Sequence, residues 1–174
     1  ESMKSKWLLL GVLMVMSSFA QHAQAMRIVS IATGEKGGEY YSFATTIAKF
    51  VCSYGAIIRS TESGKDLADN INLLESREVD FVIVQNDVAR RAFNGDQMFP
   101  NPAKNMRAVA SLFPDAATPG ATAVLLTHAA VPNDLIYDFI KGLFENLAKI
   151  QDSNVSAQHI TLKDSTRNLT VPLH

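Results

Sequence analysis

Short apolar runs alternate with helical repeats of apolar residues along the chain. Runs rich in apolar and β-branched residues, closed by turn residues, predict strands at residues 27–32, 56–59, 81–84, 107–113 and 121–127. Apolar residues at three- and four-residue spacing predict helices at residues 40–53, 66–77, 86–93 and 133–149. Strands that alternate with helices predict an α/β fold, with an open, mostly parallel sheet and helices on both of its faces.

Particular segments refine this prediction. The four apolar residues at 81–84 do not alternate with polar ones, which is typical of a strand that is buried on both faces. Asn86 or Asp87 is expected to cap the helix that follows, and Gly95 to end it. The wide apolar stripe of the helix at 133–149 must be covered by other parts of the fold. The polar, irregular residues 151–174 predict short or poorly ordered structure.

The first 25 residues have the pattern of a secretory signal peptide. Lys4 and Lys6 precede an uncharged apolar run at 7–16, and Ala-Gln-Ala at 23–25 provides a cleavage site before Met26. A membrane anchor is the alternative, but the apolar run is only about half of the roughly 20 residues that a spanning helix needs. The expected domains are therefore a signal peptide at 1–25 and a single α/β lobe at 26–174.

Composition limits the class of protein further. Of 174 residues 47% are hydrophobic and 19% charged, which predicts one folded domain with a core. Without residues 1–25 the chain has 14 basic and 16 acidic side chains, a formal charge of −2, because Lys4, Lys6 and Glu1 are removed. This charge gives no reason to expect nucleic acid as a partner. The single cysteine, Cys52, is expected to be buried or to form an intermolecular disulfide.

Candidate binding residues follow three of the predicted strands. Gly34 and Gly38 lie between the first strand and its helix, where backbone N–H groups can receive an anion. Glu39 stands where a P-loop needs its second glycine, so this turn is no nucleotide motif, and an ordinary strand-to-helix turn is the alternative. The other candidates are Thr61 and Ser63 after the second strand, and Gln85 and Asp87 after the third.

The carboxyl ends of strands are where ligands bind in open α/β sheets, which favours Gln85 and Asp87 as binding residues. The alternative is that Ser63 and Asp87 only cap the helices that follow them. No catalytic arrangement is predicted, and His128, His159 and His174 do not have the spacing of zinc ligands. We therefore expect no cofactor, metal or enzymatic activity.

Several segments of the chain resemble one family of receptors. They are TGEKGGEYY at 33–41, DNINLL at 69–74 and VDFVIVQNDV at 79–88. These segments are similar to the first lobe of the TAXI family of TRAP transporter solute receptors. Residues 125–147 and 171–174 resemble that family's carboxyl-terminal part.

The resemblance implies one lobe of a type II periplasmic binding protein, located in the periplasm. It also implies capture of a small organic anion, of amino-acid or dicarboxylate type, for a TRAP-type membrane permease. The glycine-rich segment and the paired tyrosines line the cleft of such receptors, so Thr33, Gly38, Tyr40 and Tyr41 are carried over as ligand-binding residues. Alternatively, one tyrosine packs in the core and the other lies at the surface. Arg107 also matches a position in the family, although a solvated arginine is the alternative.

The family carries a whole second lobe at a point where this chain has only residues 114–121. The resemblance therefore implies a receptor that lacks one jaw of its clamp. Pairing of two copies in a homodimer is one way to rebuild a cleft. The alternative functions are a periplasmic interaction module that does not act in transport, and an inactive, truncated receptor fragment.

Intact-mass measurement tests the expected processing. Protein secreted from a bacterial host should have the mass of a chain that begins at Met26, because signal peptidase cleaves after small residues such as Ala23 and Ala25. A secreted form that retains Trp7 would contradict this prediction.

Overall fold

The computed structural model describes residues 27–51, 56–62 and 67–174. Five strands form one sheet: β1 (Arg27–Thr33), β2 (Ala56–Glu62), β3 (Phe81–Gln85), β4 (Met106–Pro114) and β5 (Thr122–His128). Their order across the sheet is β2-β1-β3-β5-β4. All five predicted strands are therefore present. The predictions for residues 1–25, Cys52 and Ser63 lie outside the described residues.

Strand direction agrees with the predicted sheet. β1 is parallel to β2 and β3, whereas β5 is antiparallel to both β3 and β4. Strands β1 to β4 therefore run in one direction and only β5 runs in the other. Residues 115–121 alone connect β4 to β5, and so short a connection requires an antiparallel pair because a parallel pair needs a crossover of a dozen or more residues.

Helices cover both faces of the sheet, as predicted. They are α1 (Glu39–Val51), α2 (Leu67–Glu75), α3 (Asn86–Asn94), α4 (Asn133–Glu145) and α5 (Leu147–Ser153), followed by a 3-10 helix (Ser156–His159). Apolar residues of α1, α4 and α5 form the core on one face, and those of α2 and α3 form it on the other. Within the described part of the chain, no helix combines the length and apolar character that crossing a membrane requires.

The prediction of one helix at 133–149 is wrong in one respect, because this segment forms two helices. Asn146 leaves the helical conformation, with φ −104° and ψ 11°, and its Nδ2 donates a hydrogen bond to the Gly142 carbonyl oxygen at 2.9 Å. Asparagine side chains compete in this way for backbone groups. Leu147 continues the apolar repeat beyond the break, which is why the pattern alone does not reveal it.

The predicted cap of α3 is also wrong. The helix begins at Asn86, so Gln85 is the capping residue, and it makes no side-chain capping bond. Asn86 instead uses its Oδ1 to accept the backbone N–H of Thr122 at 3.2 Å, which joins the helix to β5. The predicted stop is confirmed, since Gly95 follows the helix with φ +84°.

Residues 151–174 form short structure, the first of the two predicted possibilities. The side chains of Ala157 and Ile160 are buried in the core against α1 and α4. Ser111 of β4 donates its backbone N–H to the Ser165 carbonyl oxygen at 2.6 Å, and Leu173 forms a bridge with Ala108. A few apolar side chains and backbone hydrogen bonds thus hold a segment whose composition is largely polar.

The fold predicts how much stability is lost when a buried side chain of α4 is truncated. The Phe139 ring is 3% exposed and stacks on Phe81 with ring centroids 4.5 Å apart. Phe139→Ala should lower the free energy of unfolding by roughly 3 to 5 kcal/mol, measured by urea denaturation. Tyr137→Ala on the same helix is the control, because Tyr137 is 66% exposed, and its cost should stay below about 1 kcal/mol. Equal effects would contradict the assigned buried face.

Candidate functional site

The candidate site lies at the edge of the sheet where β1, β2, β3 and β4 all end. β1 ends at Thr33 and β3 at Gln85, while β4 ends at Pro114 and continues into residues 115–121. Gln85 pairs with Ala123 near the start of β5. The polar residues after these strands therefore share one edge, which is where open α/β sheets bind ligands.

The glycine turn after β1 has a structural role. Gly37 has φ +86°, a conformation that side-chain-bearing residues rarely adopt. Gly38 donates its N–H to the Glu35 carbonyl oxygen at 2.9 Å, and a Cβ at this position would lie only 3.0 Å from that oxygen. The Gly38 carbonyl accepts the N–H of Ser42 at 2.9 Å and so begins α1. These contacts agree with the interpretation as a strand-to-helix turn, and binding by Gly38 stays a prediction.

The two tyrosines at the start of α1 have different surroundings. The Tyr40 ring is 9% exposed and meets the Phe113 ring edge-on, with centroids 6.1 Å apart. Its hydroxyl donates a short hydrogen bond to Oδ2 of Asp115. Tyr41 is half-buried, and its backbone carbonyl accepts the Thr45 hydroxyl at 2.8 Å. Tyr40 is therefore the tyrosine that directs its hydroxyl into a polar contact at this edge.

Residues 115–118 lie against the ends of α1 and β3. Gln85 donates from Nε2 to the Thr118 hydroxyl at 2.7 Å. Oδ1 of Asp115 accepts the backbone N–H groups of Ala117 at 3.0 Å and of Thr118 at 2.7 Å. Hydrogen bonds thus join Tyr40 and Gln85, both predicted binding residues, to one short loop.

This arrangement stabilises a carboxylate. Burial by itself would raise the pKa of Asp115, but the hydrogen bond from Tyr40, the nearby Gln85 amide and two backbone N–H groups outweigh burial and hold that pKa below its usual value. The pKa of Tyr40 is strongly raised, first by burial and then by its hydrogen bond to Asp115. The negative charges of Asp115, Glu39 and Asp87 raise it further. The neutral hydroxyl therefore donates to a charged carboxylate.

Glu39 connects three parts of the chain. Its Oε1 accepts the hydroxyl of Ser156 at 2.6 Å, and its Oε2 accepts the backbone N–H of Ala116 at 3.4 Å. One turn further along α1, the Ser42 hydroxyl accepts Nδ2 of Asn154 at 3.2 Å. The start of α1 is thereby tied both to the loop after β4 and to the segment after α5.

Thr33 and Asn70 form a buried pair beside the glycine turn. Both side chains are 0% exposed, and Asn70 donates from Nδ2 to the Thr33 carbonyl oxygen at 3.1 Å. The Thr33 hydroxyl donates a hydrogen bond to the carbonyl oxygen of Gly34 at 3.3 Å. Oδ1 of Asn70 has no hydrogen-bond partner among the residues that the structure describes. The buried Asn70 amide is thus a polar group of this edge that our list of candidate residues omitted.

Asp87 does not cap α3, so that alternative is wrong. One of its carboxylate oxygens is buried without a hydrogen-bond partner in the described part of the chain. Asp87 lines a shallow depression of 370 Å³ whose other lining residues are Asn86, Arg90, Thr118, Pro119, Gly120, Ala121 and Thr170. The depression borders the loop that contacts Gln85, which places Asp87 at the same edge of the sheet.

Arg107 is not brought to the candidate site, and binding by Thr61 and Ser63 stays a prediction. Arg107 pairs with Thr127, which is level with Phe81 at the opposite end of β3 from Gln85, roughly 13 Å away along the strand. Its guanidinium donates to the backbone carbonyls of Lys104 and Met106. Thr61 lies opposite Ala32 in β2, but its side chain, like the whole of Ser63, lies outside the described residues.

The sequence interpretation missed Asp115 and Thr118, which it treated only as a junction between lobes. The signal for them was present, since both follow β4, whose carboxyl end lies at the same edge as those of β1 and β3. Extending the strand-end rule to the fourth strand would have included both residues.

The Tyr40 contact predicts how stability depends on pH. Because the folded state raises the pKa of Tyr40, its contribution is fully present below about pH 10, the value of free tyrosine, and is lost above it. Between pH 9.5 and 11, titration of this hydroxyl should lower the free energy of unfolding of the wild type by about 1 kcal/mol. Tyr40→Phe should be less stable at pH 8 but should lose less on alkalinisation, as measured by urea unfolding followed by circular dichroism.

Tyr41→Phe is the matched control for this measurement, because it removes a hydroxyl from the half-buried neighbour in the same helical turn. Its alkaline loss of stability should equal that of the wild type. An unchanged alkaline loss in Tyr40→Phe would show that the Tyr40 hydroxyl is not held as described.

The chain matches the profile of a known protein family. The profile of the NMT1-like family matches residues 31–118 and residues 113–174. The two matched segments overlap at 113–118, which includes Asp115 and Thr118 of the candidate site. Together they cover well over half of the chain. The protein belongs to the NMT1-like family, whose members are periplasmic binding protein-like proteins of solute transport.

Proposed function

We propose that the chain is an extracytoplasmic receptor of the TAXI type, which captures a small organic anion for a TRAP-type membrane permease. The observation that carries this proposal is the set of donors at the edge of the sheet. The Tyr40 hydroxyl of α1 donates to a carboxylate that stays ionised although it is partly buried, and the Gln85 amide of β3 donates to Thr118 of the same loop. The same donors suit the carboxylate of a solute.

The charges around Tyr40 favour one kind of anion. Glu39 and Asp87 both act on the Tyr40 hydroxyl as negative charges. A second carboxylate on the solute would be repelled by them, whereas an ammonium group would be attracted. Of the two solute classes that the family resemblance implies, an α-amino acid therefore fits this edge better than a dicarboxylate.

The proposed receptor has one lobe in place of two. The two segments that match the family meet at residues 113–118, and only residues 115–121 connect β4 to β5. Both facts support absence of the second lobe at this point. Tight small-molecule sites enclose roughly 70 to 90% of the ligand surface, which a single lobe cannot do by itself. We therefore expect weak binding by a monomer, or tighter binding by a homodimer that rebuilds the cleft.

A second candidate function is favoured by the contacts within the site. Tyr40, Gln85 and Glu39 each already have a partner in the loop or in the segment after α5. Such satisfaction of polar groups suits an interaction module that binds no solute. Neither candidate requires catalysis, and solute recovered unchanged after incubation would agree with a binding protein.

Titration calorimetry of residues 26–174 separates these functions. Against a panel of amino acids, 2-oxo acids and dicarboxylates, a monomer should bind amino acids with dissociation constants weaker than about 1 μM, about −8 kcal/mol, because its site is open on one side. Analytical ultracentrifugation of the same samples gives the oligomeric state. Tighter binding by a proven monomer would contradict the one-lobe argument, and no binding to any solute would favour the interaction module.

The variant Gln85→Leu tests the location of binding. It removes the amide donor while keeping a side chain of similar size, so solute affinity should fall about tenfold, as expected from loss of a hydrogen bond to a charged group. Gln151→Leu is the matched control, because Gln151 lies on α5 and donates to the Ile160 carbonyl instead. Equal affinities of Gln85→Leu and the control would place the solute elsewhere.

A further inference from the structure

The loop after β4 presents a carboxylate to the donors that would receive a solute. We propose that Asp115 is an internal occupant of the carboxylate site, so that a solute carboxylate enters only when residues 115–118 move away from Tyr40 and Gln85. This inference rests on the proposed function and adds the means by which access to its site is controlled.

The two oxygens of Asp115 have separate partners. Oδ2 accepts the Tyr40 hydroxyl of α1, whereas Oδ1 accepts the Ala117 and Thr118 N–H groups of its own loop. The loop therefore keeps its internal turn when it leaves the site. The Tyr40 hydroxyl and the Gln85 amide would lose their partners, and partly buried polar groups without partners are costly. A solute carboxylate restores those hydrogen bonds, so the exchange is close to balanced.

Polar contacts hold the loop in place more than apolar burial does. Residues Ala116, Ala117, Pro119 and Gly120 are exposed, and only Ala121 at the end of the loop is buried. Its links to other elements are the hydrogen bonds to Tyr40, Gln85 and Glu39. Segments with few buried apolar contacts open at low free energy. The loop can therefore leave the edge without disturbing the core.

Occupation from within the chain lowers the observed affinity. A ligand that binds only the open state has an apparent dissociation constant equal to the intrinsic one divided by the open fraction. With about a tenth of molecules open, removal of the occupant improves affinity about tenfold. Asp115 thereby also favours anionic ligands over neutral ones. A ligand must replace the Asp115 carboxylate at the same donors, and an anion forms stronger hydrogen bonds with them than a neutral molecule does.

The test is a titration of Asp115→Ala with sodium acetate, which supplies a carboxylate and little else, followed by NMR of the Gln85 side-chain amide. Sodium chloride at equal concentrations is the ionic control. Asp152→Ala is the matched variant, because it removes an exposed carboxylate on α5 and leaves the loop intact. Acetate should bind Asp115→Ala at least tenfold more tightly than it binds the wild type or Asp152→Ala. Asp115→Asn keeps the bulk of the occupant and should gain less than Asp115→Ala.

A second measurement uses the wild type, and so holds if Asp115→Ala does not fold. Acetate should speed amide hydrogen exchange at Ala116 relative to chloride, because its N–H donates to Glu39 of α1 and is released when the loop opens. Equal acetate affinities in the wild type and Asp115→Ala would overturn the inference, and so would exchange that does not respond to acetate.

The outcomes separate this inference from the proposed function. If amino acids bind the wild type and Asp115→Ala equally well, the receptor function is supported and the role of Asp115 as internal occupant is contradicted. The alternative outcome is that acetate binds Asp115→Ala more tightly while no amino acid, 2-oxo acid or dicarboxylate binds either protein. That result would support Asp115 as the internal occupant and contradict the receptor function.

Discussion

The pairing of β3 with the antiparallel strand β5 is the constraint on which the rest of the structure depends. Five residue pairs, from Phe81 with Thr127 to Gln85 with Ala123, place β5 between β3 and β4. β5 also supplies the Thr127 hydroxyl, which donates to the Asp80 carbonyl at 2.8 Å. Because β5 reverses direction, β4 runs parallel to β3 and ends at the same edge. The loop after β4 is therefore delivered to the strand ends.

Delivery of that loop decides the chemistry of the edge. Tyr40 and Gln85 would be free donors in an open cleft, yet here the loop satisfies them. The same contacts explain why the partly buried carboxylate of Asp115 keeps a low pKa. In the proposed receptor, solute selection and access to the site depend on these same few hydrogen bonds.

The core under α1 and α4 supports this edge and includes the ring of Tyr40. The Phe81 and Phe139 rings stack under α4, and the rings of Phe43 and Phe113 meet edge-on at 5.0 Å under α1. Phe113 also contacts Tyr40, so the aromatic core fixes the direction of the Tyr40 hydroxyl. The proposed exchange of occupants needs this combination of rigid packing below the edge and a loop held by polar contacts above it, because the loop can then move while the fold stays intact.

Local pattern determined the elements of this protein, because apolar periodicity and turn residues act over only a few positions. It located the five strands and the helices on both faces, and the strand-end rule brought Gln85 and Asp87 into consideration, whereas Tyr40 came from the family resemblance. The break at Asn146 and the uncapped start of α3 escaped it, since side-chain contacts decide both. Asp115 and Tyr40 are 75 residues apart in the sequence. Only the tertiary structure brings them together, because the position of β5 between β3 and β4 places the loop beside Tyr40.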